Sequence, residues 1–153
     1  MYNKKTDELE KQLEHTHTDG LRDFLEENSE EMLKEEREFM RYMNEKLKEK
    51  KISKQEVFLR ADISQGYGYK LLTEEKVTKQ RDVILRICYA AGFTLAETQQ
   101  ALKIYHFETL YARDRRDAIL MICLNDRPGG IIEVNKILAD NGMSPLRASG
   151  VQD

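Results

Sequence analysis

Apolar residues in this chain recur mainly at spacings of three and four, and no run alternates β-branched residues with period two. Such spacing lines one face of an α-helix and leaves nothing to line one face of a strand. The only prolines, Pro128 and Pro145, both come late. The chain is therefore expected to fold as an all-α, compact helical bundle.

Capping signals divide the pattern into elements. Met32 and Leu33, then Phe39, Met40, Met43 and Leu47, recur on one face, which predicts a helix over at least 38–50. Ser53-Lys54-Gln55-Glu56 reads as a capping box, with Ser accepting from the third amide and Glu reaching back. It opens a helix through about Ala61. Asp62-Ile63-Ser64 makes a turn, and Ser64 is placed to cap a helix from Gln65 to about Thr73. Thr78 is placed to cap the next, which carries Val83, Ile84, Ile87 and Ala91 and ends at Gly92. Thr94-Leu95-Ala96-Glu97 is a second capping box, for a helix to about Lys103. Asp114 and Asp117 repeat the logic with acids, which suit the positive end of a helix dipole. The run Ala118 to Leu124 behind them is apolar all round and predicts a centrally buried helix. Pro128-Gly129-Gly130 breaks the chain, and a last helix with Ile131, Ile132, Ile137 and Leu138 stops at Asn141-Gly142. That makes about seven helices with short connections. Residues 1–28 are acidic and poor in apolar groups, apart from Leu21, Phe24 and Leu25, which can form one short amphipathic turn. A mobile tail and a docked helix both fit that composition.

Charge narrows the choice of partners. The net charge is −3, with 40% hydrophobic and 35% charged residues, but its distribution is uneven. Residues 1–38 hold 6 Lys/Arg against 13 Asp/Glu, whereas residues 39–92 hold 12 against 7. A polyanion responds to the local field, so only the middle segment suits nucleic acid. No apolar stretch approaches the ~20 residues needed to span a bilayer. The N-terminus lacks the apolar segment of a signal peptide, and Cys88 and Cys123 sit singly in apolar runs as buried thiols. A cytoplasmic protein without membrane contact is expected.

Within the middle segment, two helices joined by a three-residue turn have the form in which one helix crosses the DNA backbone and the other enters the major groove. A fixed angle between them needs apolar inward positions, and Val57, Ala61, Ile63, Gly68, Leu71 and Leu72 supply these. Outward positions on the second helix need hydrogen-bonding side chains of useful reach. Gln65, Tyr67, Tyr69, Lys70 and Thr73 qualify: Gln pairs with adenine, and Lys reaches guanine or phosphate. Gly66 and Gly68 each cost about 1 kcal/mol of helix propensity relative to Ala, which close approach to a neighbouring helix or to DNA can offset.

The stretch ISKQEVFLRADISQGYGYKLLTEEKVTKQRDVILRICYAAGFTL resembles the phage-repressor-like helix-turn-helix domain, the lambda repressor and Cro type often called XRE. Ser53 to Val57 matches the start of that family's second helix, and Asp62-Ile63-Ser64-Gln65 its turn. QGYGYKLL, AAGFTLAETQQALK and LYARDRRDAILMICL are similar to short bacterial proteins of this class that carry an extra helical C-terminal part. The likeness covers about residues 39–146. It implies three parts: an acidic tail or helix over 1–37, a helix-turn-helix DNA-binding domain over 38–105, and a helical extension over 106–153 packed on it. It also implies a sequence-specific transcriptional regulator of double-stranded DNA, without catalysis or cofactor, whose DNA-facing positions are Lys54, Gln65, Gly66, Tyr67, Tyr69, Lys70 and Thr73. Glu74-Glu75 departs from the pattern, because the family usually places Gly and a basic residue after its recognition helix.

Other residues offer less. His15 and His17 point to different sides of a helix and have no cysteine nearby, so no metal site is expected. His106 has Glu108 close by but no nucleophile, so no enzyme is expected. The glycines of QGYGY follow no strand and lack the third glycine of a phosphate loop. Arg113, Arg115 and Arg116 form either a surface network with Asp114 and Asp117 or a phosphate or partner contact. Lys50 and Lys51, in a lysine-rich helix end, lie beside the expected DNA face and can add backbone contacts. An alternative function is a protein-interaction module on the same scaffold, with the acidic N-terminal segment binding a partner or masking the basic face. Homodimerisation would pair half-sites, through either the C-terminal helices or the helix before residue 50.

Overall fold

The computed structural model of the chain describes residues 6–29 and 37–148. Among these residues the secondary structure is helical throughout, with no strand. The expected all-α fold is therefore observed. The chain divides into two compact units, residues 1–35 and 36–153.

In the first unit, α1 (Thr6–Glu14) and α2 (Leu21–Glu27) flank a short 3-10 turn at Thr18–Gly20. Leu9 and Phe24 are buried, and Asn28 donates to the Gln12 side chain (3.3 Å) and to the Phe24 carbonyl (3.0 Å). The region holds two helices, where the sequence suggested one short amphipathic turn and left a mobile tail and a docked helix both open. Only Phe24 of the Leu21, Phe24, Leu25 triplet is buried. The expected positions Met32 and Leu33 lie outside the described residues.

The second unit runs through α3 (Glu38–Lys50), α4 (Lys54–Ala61), α5 (Gln65–Leu72), α6 (Arg81–Ala90), α7 (Leu95–Ile104), α8 (Arg115–Asp126) and α9 (Ile131–Asp140). Helix α6 is the centre: Val83 to Ala90 are all buried. Helices α4, α7 and α9 pack on it, α3 packs on α5 and α7, and α8 rests on α7 and α9. One apolar core includes Phe39, Val57, Leu72, Ile84, Leu120 and Leu138, so the segments on both sides of residue 105 share it.

Four local expectations are corrected. Helix α8 is not centrally buried, since Ile122 is 64% exposed. Ile132 of α9 is 80% exposed, and Val134 takes the inward position instead. Neither Ser64 nor Thr78 caps a helix with its side chain; the N-cap of α6 is Gln80, two residues after Thr78. Ser53 Oγ accepts from the Glu56 amide (3.1 Å), but the Glu56 carboxylate turns to Arg60 (3.1 Å), so that box is half formed. Cys88 and Cys123 are free and buried, as expected.

The box at Thr94 is complete, and its carboxylate does more than cap. Glu97 accepts from the Thr94 amide (2.9 Å) and pairs with Lys50 Nζ (2.6 Å) and Lys46 Nζ (3.6 Å), tying α7 to α3. Burial raises the Glu97 pKa, but the Lys50 and Thr94 hydrogen bonds outweigh it and hold the carboxyl below its ordinary value. A carboxylate lowered in the folded state contributes stability that is present above its unfolded pKa and is lost as pH falls through its folded pKa. Replacing Thr94 by Ala is expected to lower the unfolding free energy by about 1 kcal/mol. Glu97→Gln is expected to flatten the acid-side loss of stability below about pH 5. Urea unfolding across pH measures both; a Glu97→Gln profile parallel to that of the parent would remove this carboxylate from the linkage.

Candidate nucleic-acid interface

Helices α4 and α5 are joined by Asp62-Ile63-Ser64. The turn is set by Asp62, whose φ of 56° lies in the left-handed region, where Asp is among the better-tolerated side chains. Ile63 drops into the core behind it and its amide donates to the Phe58 carbonyl (3.0 Å). Val57, Ala61, Ile63, Gly68, Leu71 and Leu72 are all buried, so the inward set read from the sequence is the inward set of the structure.

The contact between the two helices rests on Gly68. A Cβ there would meet the buried Phe58 ring at 2.5 Å, so only glycine lets α5 approach α4 this closely. Phe58 in turn supports Tyr69 edge-on, with ring centroids 5.1 Å apart. Gly66 is different: a Cβ there meets nothing within 4 Å.

These placements separate the expected contact residues. Gln65, Gly66, Tyr69 and Lys70 are exposed, and their spacing puts them on one strip of α5. Tyr67 does not present its hydroxyl: that atom is sealed and unpartnered, the ring is half-buried against the core, and Lys76 Nζ sits 5.3 Å from the ring centre. Thr73 turns its hydroxyl back to the Tyr69 carbonyl (2.9 Å). Lys54 is half-buried in the first turn of α4.

The flanking basic residues also divide. Lys50 is held by Glu97 and lies 5.5 Å from the centre of the Phe93 ring, whereas Lys51 is exposed. Arg113 and Arg115 are exposed. Arg116 clamps Asp82 of α6 with two bonds (2.9 and 3.0 Å) and also donates to the Ser144 and Pro145 carbonyls. Its network thus runs to α6, not to Asp114 and Asp117. Asp114 caps α8 through the Asp117 amide (2.9 Å), and Asp117 is clamped by Arg81 (2.6 and 3.2 Å).

The acids after α5 are not equivalent. Glu74 accepts from the Met40 amide (3.4 Å) at the start of α3, where the helix dipole favours a negative charge. Glu75 is exposed. Sequence reasoning missed this capping role, because no spacing rule links positions 34 residues apart. It also missed Lys76, whose signal was only a lysine shortly after a tyrosine-bearing helix.

The glycine pair allows a direct check. Gly68→Ala is expected to cost about 1–3 kcal/mol through overpacking against Phe58. Gly66→Ala, in open space, is expected to add up to about 1 kcal/mol through helix propensity. Denaturant unfolding of the two variants measures the difference; equal effects would show that α5 does not rest on Phe58 through Gly68.

No protein-family model, curated protein or solved structure matched this chain in the comparisons made.

Proposed function

We propose that the unit of residues 36–153 is a sequence-specific reader of double-stranded DNA, a transcriptional regulator of the phage-repressor-like kind without chemistry of its own. The observation that carries this reading is the open strip of Gln65, Gly66, Tyr69 and Lys70 on a helix whose opposite face is locked into the core. Each member has a use in a major groove. Gln65 can pair bidentately with adenine, and Lys70 can reach guanine or a phosphate. Gly66 lets the backbone come close to base edges, and Tyr69 offers a ring already fixed by Phe58. Lys51 and Lys54, at the entry to α4, supply backbone charge. The engagement of Glu74 at Met40 weakens the objection that two acids follow the helix. A second copy of the chain would pair half-sites, as such domains commonly do.

Three lysines on phosphates predict a slope of about −3 per copy in a plot of log affinity against log salt. Lys70→Glu is expected to weaken binding by about tenfold or more at low salt. Lys136→Glu, on the exposed side of α9, should leave it unchanged. Fluorescence anisotropy with genomic fragments measures all three. Binding to DNA no tighter than to an anionic bead, or equal effects of the two substitutions, overturns the reading.

A further inference from the structure

Arg86 is a charge inside the core that forms no ion pair among the described residues. The residue is 5% exposed, and its Nε donates to the Ala61 carbonyl (2.9 Å) while its Nη1 donates to the Leu146 carbonyl (2.8 Å). Those bonds hold the end of α4 and the chain after α9. Nη2 has no protein partner among the described residues and is not one of the sealed polar atoms. Arg86 lines a cleft of about 690 Å³ between α4, α6 and the start of α9. Volumes of roughly 300–1,000 Å³ are those of small-molecule sites.

The walls of the cleft have a consistent chemistry. Arg127 also lines it, with its guanidinium donating to the Tyr89 and Phe93 carbonyls and stacked 4.4 Å from the Tyr89 ring centre, again without a carboxylate. Arg60 stands at the edge, paired with Glu56. Glu133 is drawn away to the Gly130 amide (2.6 Å), which leaves Asp62 as the lining acid without an ion pair. Leu59 and Ile132, 76% and 80% exposed, form an apolar rim. Carbonyl dipoles satisfy part of a buried guanidinium, but a charge there is stabilised most by an anion. Burial lowers the Arg86 pKa and outweighs the opposing pull of the Asp62 and Asp82 charges.

We propose that this cleft binds a small organic anion, with a carboxylate or phosphate head on Arg86 and Arg127 and an apolar body against Leu59 and Ile132. The site is separate from the open strip of α5 and does not depend on what that strip binds.

The test is a titration of the full chain at low salt, followed by amide NMR shifts, with benzoate, phenyl phosphate and the neutral control benzyl alcohol. Saturable shifts at Asp62, Arg86 and Gly129 to Ile132, with a Kd below about 1 mM for at least one anion, support the proposal. Leu59→Glu and Ile132→Glu place acids on the exposed rim and should weaken that anion by about tenfold while the rest of the spectrum stays the same. Arg86→Gln should abolish its binding, and the two rim variants decide the matter if Arg86→Gln does not fold. The proposal is overturned if neither anion saturates, if benzyl alcohol binds as tightly as the better anion, or if both rim variants keep the parent affinity.

Discussion

The second unit is organised around a guanidinium set within its core. Arg86 sits in the middle of α6, and a charge so placed must find acceptors or be expelled. It finds the last carbonyl of α4 and the carbonyl of Leu146, sixty residues along the chain. Two separate segments are thereby set against one side chain of α6. The end of α4 is also the start of the helix-turn-helix turn, so the same bond that satisfies the charge fixes where the turn begins.

The turn then transmits that placement. Ile63 is buried behind it and α5 lies on Phe58 through Gly68, so the exposed strip of α5 has few ways to tilt. Met40 receives the Glu74 carboxylate at the start of α3, which secures the far end of α5 to another helix. A strip held this rigidly on an eight-residue helix would bring little ordering cost to the binding proposed for it.

Where local rules decide structure, the sequence was legible. The helices from Glu38 onward, the turn at Asp62 to Ser64 and the inward face of α5 follow from period and capping, and these are short-range properties. The errors arose where tertiary context decides. Ala118 to Leu124 reads as a central helix because it is apolar all round, yet Ile122 faces out. Helix α6 is the true centre, and Arg86 in its midst conceals the fact. Tyr67 and Tyr69 look alike in sequence, and only the neighbours Phe58 and Lys76 separate them into a supported, exposed ring and a half-buried one with a sealed hydroxyl. Of the candidate contact residues, Gln65, Gly66, Tyr69 and Lys70 were readable as outward, whereas the engagement of Lys50, Thr73 and Arg116 was not.

The arginines of this unit show why composition alone misjudges a basic protein. Arg81 and Arg116 are each spent on a buried or half-buried aspartate, joining α6 to α8 by two forked pairs. Forked geometry and low exposure give such pairs directional value that a surface ion pair lacks. They align α8 with the ends of α6 and leave Arg113 and Arg115 as the exposed members of the cluster. Arg86 and Arg127 are held by carbonyls and a ring, with no ion pair among the described residues. The positive charge of this unit therefore divides among structural clamps, guanidiniums held on carbonyls beside a cleft, and the lysines near α4 and α5. Only the last group bears on a polyanion, which is why the few exposed side chains of α5, and not the net charge, carry the case for DNA.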